Sequence, residues 1–311
     1  MVILGEVHTG LLQTRSPLET GQAARLLELV PGESVLVSER PMPFVQSPRV
    51  LTGVDCDLSA GSGRPVRVIG TVAARAALTG GHVVQGSAHA HITATDRTHR
   101  LPWSHYLAQP GTLEAVGRAP GPGATTAFLA GGDRDALDLG AIAARVVDRL
   151  QGDEQLERGS PVKAARTKLR WAAWTGGEPG PPRVEFRVEP RGLRTLLLYA
   201  GDVPVDGLAA LCEDIAVHDW LLTVLIDLVR KSALGVTDRR TAIDRLLPAI
   251  DYLLHLWMPA ARLTGDLVGV WQTLEARPGF TRQWETLVRR IRDQLSIGAV
   301  TALAAHRTAG R

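Results

Sequence analysis

The chain has 311 residues, 45% hydrophobic and 22% charged, with a formal net charge of +3. That composition excludes a disordered or low-complexity chain and allows two or three domains with a sizeable core. The charge is too small to demand a polyanionic partner, and no segment approaches the about 20 uninterrupted apolar residues of a membrane span.

Lys163, Lys168 and Lys231 are the only lysines, against 32 arginines. A GC-rich genome produces that bias, so arginine richness alone does not argue for nucleic acid. Cys56 and Cys212 sit in apolar segments and read as buried free thiols of a reducing compartment. The opening MVILGEVHTG has no basic region and no long apolar core, and does not read as a signal peptide. A cytoplasmic protein is expected.

In chain order, residues 2–13 predict a strand. Ser16-Pro17-Leu18-Glu19 has the form of a helix start, with Ser16 as N-cap, Pro17 in the first position and Glu19 completing a capping box. The helix would run over 17–30 and stop at Pro31-Gly32. Residues 34–39 and 50–58 predict strands. Segment 40–49, with three prolines, predicts a loop, and 59–65 a turn.

Residues 66–78 and 82–94 carry the best hairpin signal. A two-residue Gly80-Gly81 turn would pair Leu78 with Val83 and put His89 and His91 on the apolar face. A three-residue loop pairs Leu78 with Val84 and keeps the faces consistent. His89 and His91 then read as an exposed polar row.

Residues 96–137 show little periodicity beyond a helical turn at 102–107 and a loop at 119–126. Residues 137–151 predict a helix, and 152–161 a polar exposed segment. Strands follow at 164–174, 182–189 and 193–200.

The longest apolar helical signal runs over 206–231, with Asp206 as N-cap and acidic residues early, basic residues late. Leu208, Leu211, Ile215, Leu222, Leu225 and Val229 form one stripe. Cys212, Leu221, Val224 and Leu228 form a second beside it. A helix with two apolar stripes packs on two sides. Further helices are expected at 238–257, 259–276, 281–295 and 296–306.

The fold class is therefore α+β: a β-rich N-terminal part (1–120), a small α-β-β-β unit with a three-stranded antiparallel sheet (121–202), and an all-helical C-terminal part (203–311).

Motifs that carry chemistry are weak. His89 and His91 project from one strand face, a geometry metals use. A histidine-triad hydrolase would continue to a third histidine, and here the series reads HAHIT. Asp214 and His218 lie one helical turn apart. The glycine-rich pieces at 61–65, 120–126 and 175–182 lack the Lys-Ser or Lys-Thr of a phosphate-cradling loop and read as turns.

Arg166, Lys168 and Arg170 line one face of a strand, with Trp174 in register and Arg187 expected across from them. Residues 157–194 hold nine basic and four acidic side chains. Basic residues with an aromatic on a sheet face can grip single-stranded nucleic acid or an acidic partner protein.

MVILGEVHTGLLQT, HVVQGSAHAHI and LCEDIAVHDWLLTVL resemble, over nearly the whole chain, a conserved actinobacterial family of the Streptomyces type with no assigned activity. The resemblance carries over no functional residues. It implies a gene neighbourhood that includes a variant P-loop protein and a methyltransferase-like protein, hence a multi-protein system.

The expectation is a non-catalytic subunit or adaptor whose apolar helices supply the docking surface, with no catalytic residues and no cofactor. The alternatives are nucleic-acid binding through Arg166, Lys168, Arg170 and Trp174, and a metal-dependent enzyme at His89 and His91.

Overall fold

In a computed structural model the described residues are 1–59, 64–117, 122–131, 136–159, 162–176, 183–189, 192–201, 203–232, 239–263, 265 and 267–309. The strands are β1 (Val2–Leu11), β2 (Leu36–Ser38), β3 (Phe44–Gln46), β4 (Val50–Leu58), β5 (Val66–Thr79), β6 (Val83–Thr95), β7 (Thr112–Val116), β8 (Thr167–Trp174), β9 (Arg183–Val188) and β10 (Leu193–Tyr199). The helices are α1 (Thr20–Leu26), α2 (Trp103–Leu107), α3 (Pro122–Ala130), α4 (Leu139–Gln151), α5 (Val205–Lys231), α6 (Arg239–Tyr252), α7 (Leu267–Ala276) and α8 (Phe280–Ala309). The chain is α+β, with the helical part C-terminal to the strands.

All ten strands join one mixed sheet. Its order is β2-β3-β5-β7-β6-β1-β8-β10-β9, with β4 also on β5 and β5 also on β6. The β5–β6 hairpin is its spine. Leu78 pairs with Val84 and Thr79 with Val83, so the loop is the three residues Gly80, Gly81 and His82. That is the register the two alternations require.

Helices cover both faces. On one, α3 and α4 close over Leu4, Ala88, Ala90 and Ala172. On the other, α5 covers Ile3, Val7, Leu169, Trp171, Leu196 and Leu198, and its far side meets α6, α7 and α8.

Several elements differ from expectation, each for a local reason. The helix expected over 17–30 is only α1. The Leu18 N–H is taken by Gly81 O at 2.8 Å, which anchors the hairpin loop, and the capping box is Glu19 with Gln22. The proline-rich segment holds β3, whose three residues fall between Pro43 and Pro48.

The aperiodic stretch contains β7, wedged between β5 and β6, with Leu113 and Ala115 buried on either side of a buried Glu114 that His105 pairs at 2.6 Å. The loop expected over 119–126 includes the start of α3, while 118–121 lie outside the described residues. So do most of the turn at 59–65 (60–63), most of 175–182 (177–182), and part of the polar segment at 152–161 (160–161).

β8, β9 and β10 do not form a separate antiparallel sheet. β8 pairs antiparallel with β1 and parallel with β10, and this continues the N-terminal sheet. Asp206 lies in the first turn of α5, where it pairs with Arg49 at 2.5 Å, and Pro204 occupies the cap. The helix expected over 259–276 begins only at Leu267, and the two terminal helices are one, α8. Among the described residues no helix is long and apolar enough to cross a membrane.

Gly86 sets the distance between β6 and α4. A Cβ there would lie 2.4 Å from Ala143 O, a backbone atom that cannot swing away. Gly86→Ala is therefore expected to lift α4 and cost about 1–3 kcal/mol, read as a lower urea midpoint with an unchanged slope.

Candidate functional site

Residues 211–222 of α5 are all buried. That run includes Glu213, Asp214, His218 and Asp219, the residues that interrupt the apolar stripes in the sequence. Burying an ionised group is costly unless a partner and hydrogen bonds replace its water. Each of the four finds such partners.

Glu213 faces the sheet. Arg75 of β5 donates to it twice, Nε to Oε1 at 2.7 Å and Nη2 to Oε2 at 2.8 Å. Ser87 of β6 also donates to Oε1, and Gln46 to Oε2 at 3.4 Å. Gln85 donates to the Glu213 carbonyl at 2.9 Å and to Thr9 Oγ1 at 3.1 Å. Burial alone would raise the Glu213 carboxyl. The Arg75 guanidinium and the hydroxyl of Ser87 outweigh it and hold the group below the usual carboxylate range.

Asp214 faces the other way. It accepts the Ala260 N–H at 2.9 Å and lies 3.8 Å from Arg262. The Arg262 guanidinium stacks over the Phe44 ring at 3.6 Å. His218 is held neutral by burial. Its Nδ1 donates to Asp214 O at 2.7 Å and its Nε2 accepts the Met258 N–H at 3.3 Å. Both ring nitrogens are thereby used, so the Asp214–His218 pair is a brace for segment 258–263. Asp219 accepts from Arg194 of β10 at 2.6 Å, and Arg194 also donates to Thr223 at 2.7 Å.

His89 and His91 point to the α5 side of the sheet. The exposed row expected there does not exist: α5 covers it, and His89 is buried while His91 is half-buried. His89 pairs across the sheet with Gly5, which pairs in turn with Trp171. Gly5 has no side chain, so the Trp171 indole lies over it, 6.3 Å from the His89 ring. Burial, with Arg75 nearby, pushes the His89 imidazole down to about 4. Its Nδ1 has no hydrogen-bond partner in the structure. Among the described residues no three His, Cys, Asp or Glu side chains converge as a metal site would require.

A cleft of about 820 Å³ reaches this cluster from outside, lined by Gln46, Arg49, Arg75 and Asp206 among others. Its arginines are paired, Arg49 with Asp206 and Arg75 with Glu213. A carboxylate already accepting from Arg75, Ser87 and Gln46 is a weak base.

The basic row of β8 lies on the opposite face, beneath α3 and α4. Arg170 donates to buried Glu6 at 2.8 Å and to Phe128 O at 3.1 Å. Arg166 bonds Asp148 at 2.6 Å and also Gln151 of α4. Lys168 is exposed, and Trp174 packs at the rim of the core on that face. Arg187, expected across from them, pairs with Glu185 on the exposed β9 at 2.9 Å. The row is thus mostly spent on internal ion pairs.

Sequence reasoning missed Arg75, Arg194 and Arg262 as partners of α5. The signal was an arginine within VAARAAL, a strand otherwise small and apolar. No family model, curated protein or solved structure matches the chain.

Two outcomes follow from the buried groups. Glu213→Gln leaves Arg75 buried without its counter-charge and is expected to cost about 3–5 kcal/mol. Arg75→Met with Glu213→Leu should recover most of that loss in the same urea melts.

The unfolded chain protonates His89 near the ordinary value of about 6.5, whereas the fold resists protonation until about 4. Stability is therefore intact above the unfolded value and is lost as pH falls toward 4. His89→Gln should remove roughly 2 kcal/mol of the stability lost between pH 7 and pH 5.

Proposed function

We propose that the protein is a non-catalytic subunit or adaptor of a multi-protein system. The observation that carries this reading is where its reactive side chains are spent. Among the described residues, Glu213, Asp214, Asp219 and Glu6 are tied to Arg75, Arg262, Arg194 and Arg170, respectively, inside the molecule. The surface offers apolar side chains instead. Leu36 and Val37 on the outermost strand β2 are 57% and 45% exposed.

The expected partners are the variant P-loop protein and the methyltransferase-like protein that the family resemblance implies. Nucleic-acid binding has less support, because of its three basic residues Arg166 and Arg170 are held in internal ion pairs and only Lys168 is exposed. The metal reading has less support because α5 covers His89.

The test is purification of the tagged chain from its native host with quantitative mass spectrometry. The expected result is one or two proteins in near-stoichiometric amount, lost when Leu36 and Val37 are both changed to Lys. Recovery of the chain alone, under gentle lysis and at native expression, overturns the proposal.

A further inference from the structure

We infer that β9 is a self-complementary edge through which two copies of this chain pair their sheets. Among the described residues β9 is the last strand of the sheet and pairs only with β10. Its sequence from residue 183 to 189 reads Arg-Val-Glu-Phe-Arg-Val-Glu. Arg183, Glu185 and Arg187 are exposed, as is Val188 at 63%. An open edge strand with free N–H and C=O groups is a template for another strand.

The backbone sets which groups are free. The Glu189 N–H donates to Leu193 O at 2.7 Å. In an antiparallel ladder the bonded residues alternate. Residues 183, 185, 187 and 189 therefore turn their backbone groups toward β10, and Val184, Phe186 and Val188 turn theirs outward.

An antiparallel pair with a two-fold axis through Phe186 brings these outward groups together. Phe186 meets Phe186, and Val184 meets Val188, each as a hydrogen-bonded pair. The same register places Glu185 opposite Arg187 and Arg183 opposite Glu189 of the second copy, twice each by symmetry.

Every charge then faces its opposite on one face of the joined sheet, and the other face stays apolar. Neighbouring registers fail. An axis through Glu185 sets Arg183 against Arg187 and Glu185 against itself. An axis through Arg187 sets Glu185 against Glu189 and Arg187 against itself. Axes through Val184 or Val188 also set opposite charges face to face, but they make two such pairs among residues 183–189 against four for the axis through Phe186. Charge complementarity thus favours the Phe186 register, and it selects a second copy of this chain as the occupant.

Seven residues on each side bury less than the about 1,200–2,000 Å² of a stable interface. The dimer is accordingly reversible and concentration-dependent. It does not rest on the adaptor reading: a chain that dimerises yet recovers no partner would fail that reading alone.

Sedimentation velocity from micromolar to near-millimolar protein tests it, on variants whose circular dichroism and melting match the parent. The parent should shift from monomer to dimer. Val188→Pro deletes an outward N–H without touching the β10 ladder and should abolish the shift. Arg187→Glu and Glu185→Arg each turn two attractive pairs into repulsive ones and should weaken the dimer about tenfold.

The two single variants mixed together should form a heterodimer, and the double variant should dimerise like the parent. A parent that stays monomeric throughout overturns the inference. So does a dimer indifferent to Val188→Pro, or one that the charge exchange does not restore.

Discussion

The fold depends on three carboxylates that have no water. Glu213, Asp214 and Asp219 lie within two turns of α5, in a run that protein encloses on every side. An uncompensated charge there would cost several kcal/mol, so each carboxylate requires a cation at a set place. The cations come from three distant parts of the chain: Arg75 from β5, Arg262 from the segment after α6, and Arg194 from β10. Apolar contact alone would let a helix of this composition slide or rotate on the sheet. Two hydrogen-bonded ion pairs, with the longer Asp214–Arg262 contact on the side away from the sheet, leave one seat.

The same logic explains why the sheet has polar residues on a face that is buried. Thr9, Gln85, Ser87 and Arg75 lie beneath α5, where the hydrophobic pattern alone would call for valine or leucine. They are complementary to the underside of the helix, where Glu213 accepts from Arg75 and Ser87 while its carbonyl takes Gln85. On the other face Glu6 and Arg170 do the equivalent with α3 and α4. Gly140 gives Glu6 its room, since a Cβ there would lie 2.3 Å from the carboxylate. Small residues and paired charges take the place of large apolar ones.

Legibility in the sequence follows from this. Strand alternation reads reliably when it reports a periodic pattern, so β4, β5, β6 and the three-residue loop between them are predictable from it. The same alternation gives a wrong environment for His89, because period two separates polar from apolar faces and is silent on whether the polar face meets water or a polar helix. β3 and β7, at three and five residues, are too short to show a period at all. The union of β8–β10 with the N-terminal strands is a long-range pairing of β8 with β1, more than 150 residues apart, that no local pattern encodes. The arginine partners of α5 are equally long-range, with Arg75 and Glu213 separated by 138 positions. Locally, only the oddity of Arg75 among alanines marked one of them.

A molecule that uses its charges this way has consequences for where it can meet others. Helices close both faces of the sheet over its central strands, and the groups under α5 are mostly engaged with one another. What remains open among the described residues is the perimeter: β2 at one end of the strand order, β9 at the other, and β4, whose one strand partner is β5. The two ends differ in kind. β2 is three residues long and presents Leu36 and Val37, a short apolar contact with little register information. β9 presents alternating charges whose order distinguishes one alignment from its neighbours. An edge that carries such order costs nothing in the isolated chain, because exposed charges are well hydrated. It also guards against indiscriminate strand addition, since a strand with a different order of charges would leave charges unpaired or like charges opposed. Specificity at β9 thus needs no pocket; it needs only that the order of four charges be its own complement when read backwards.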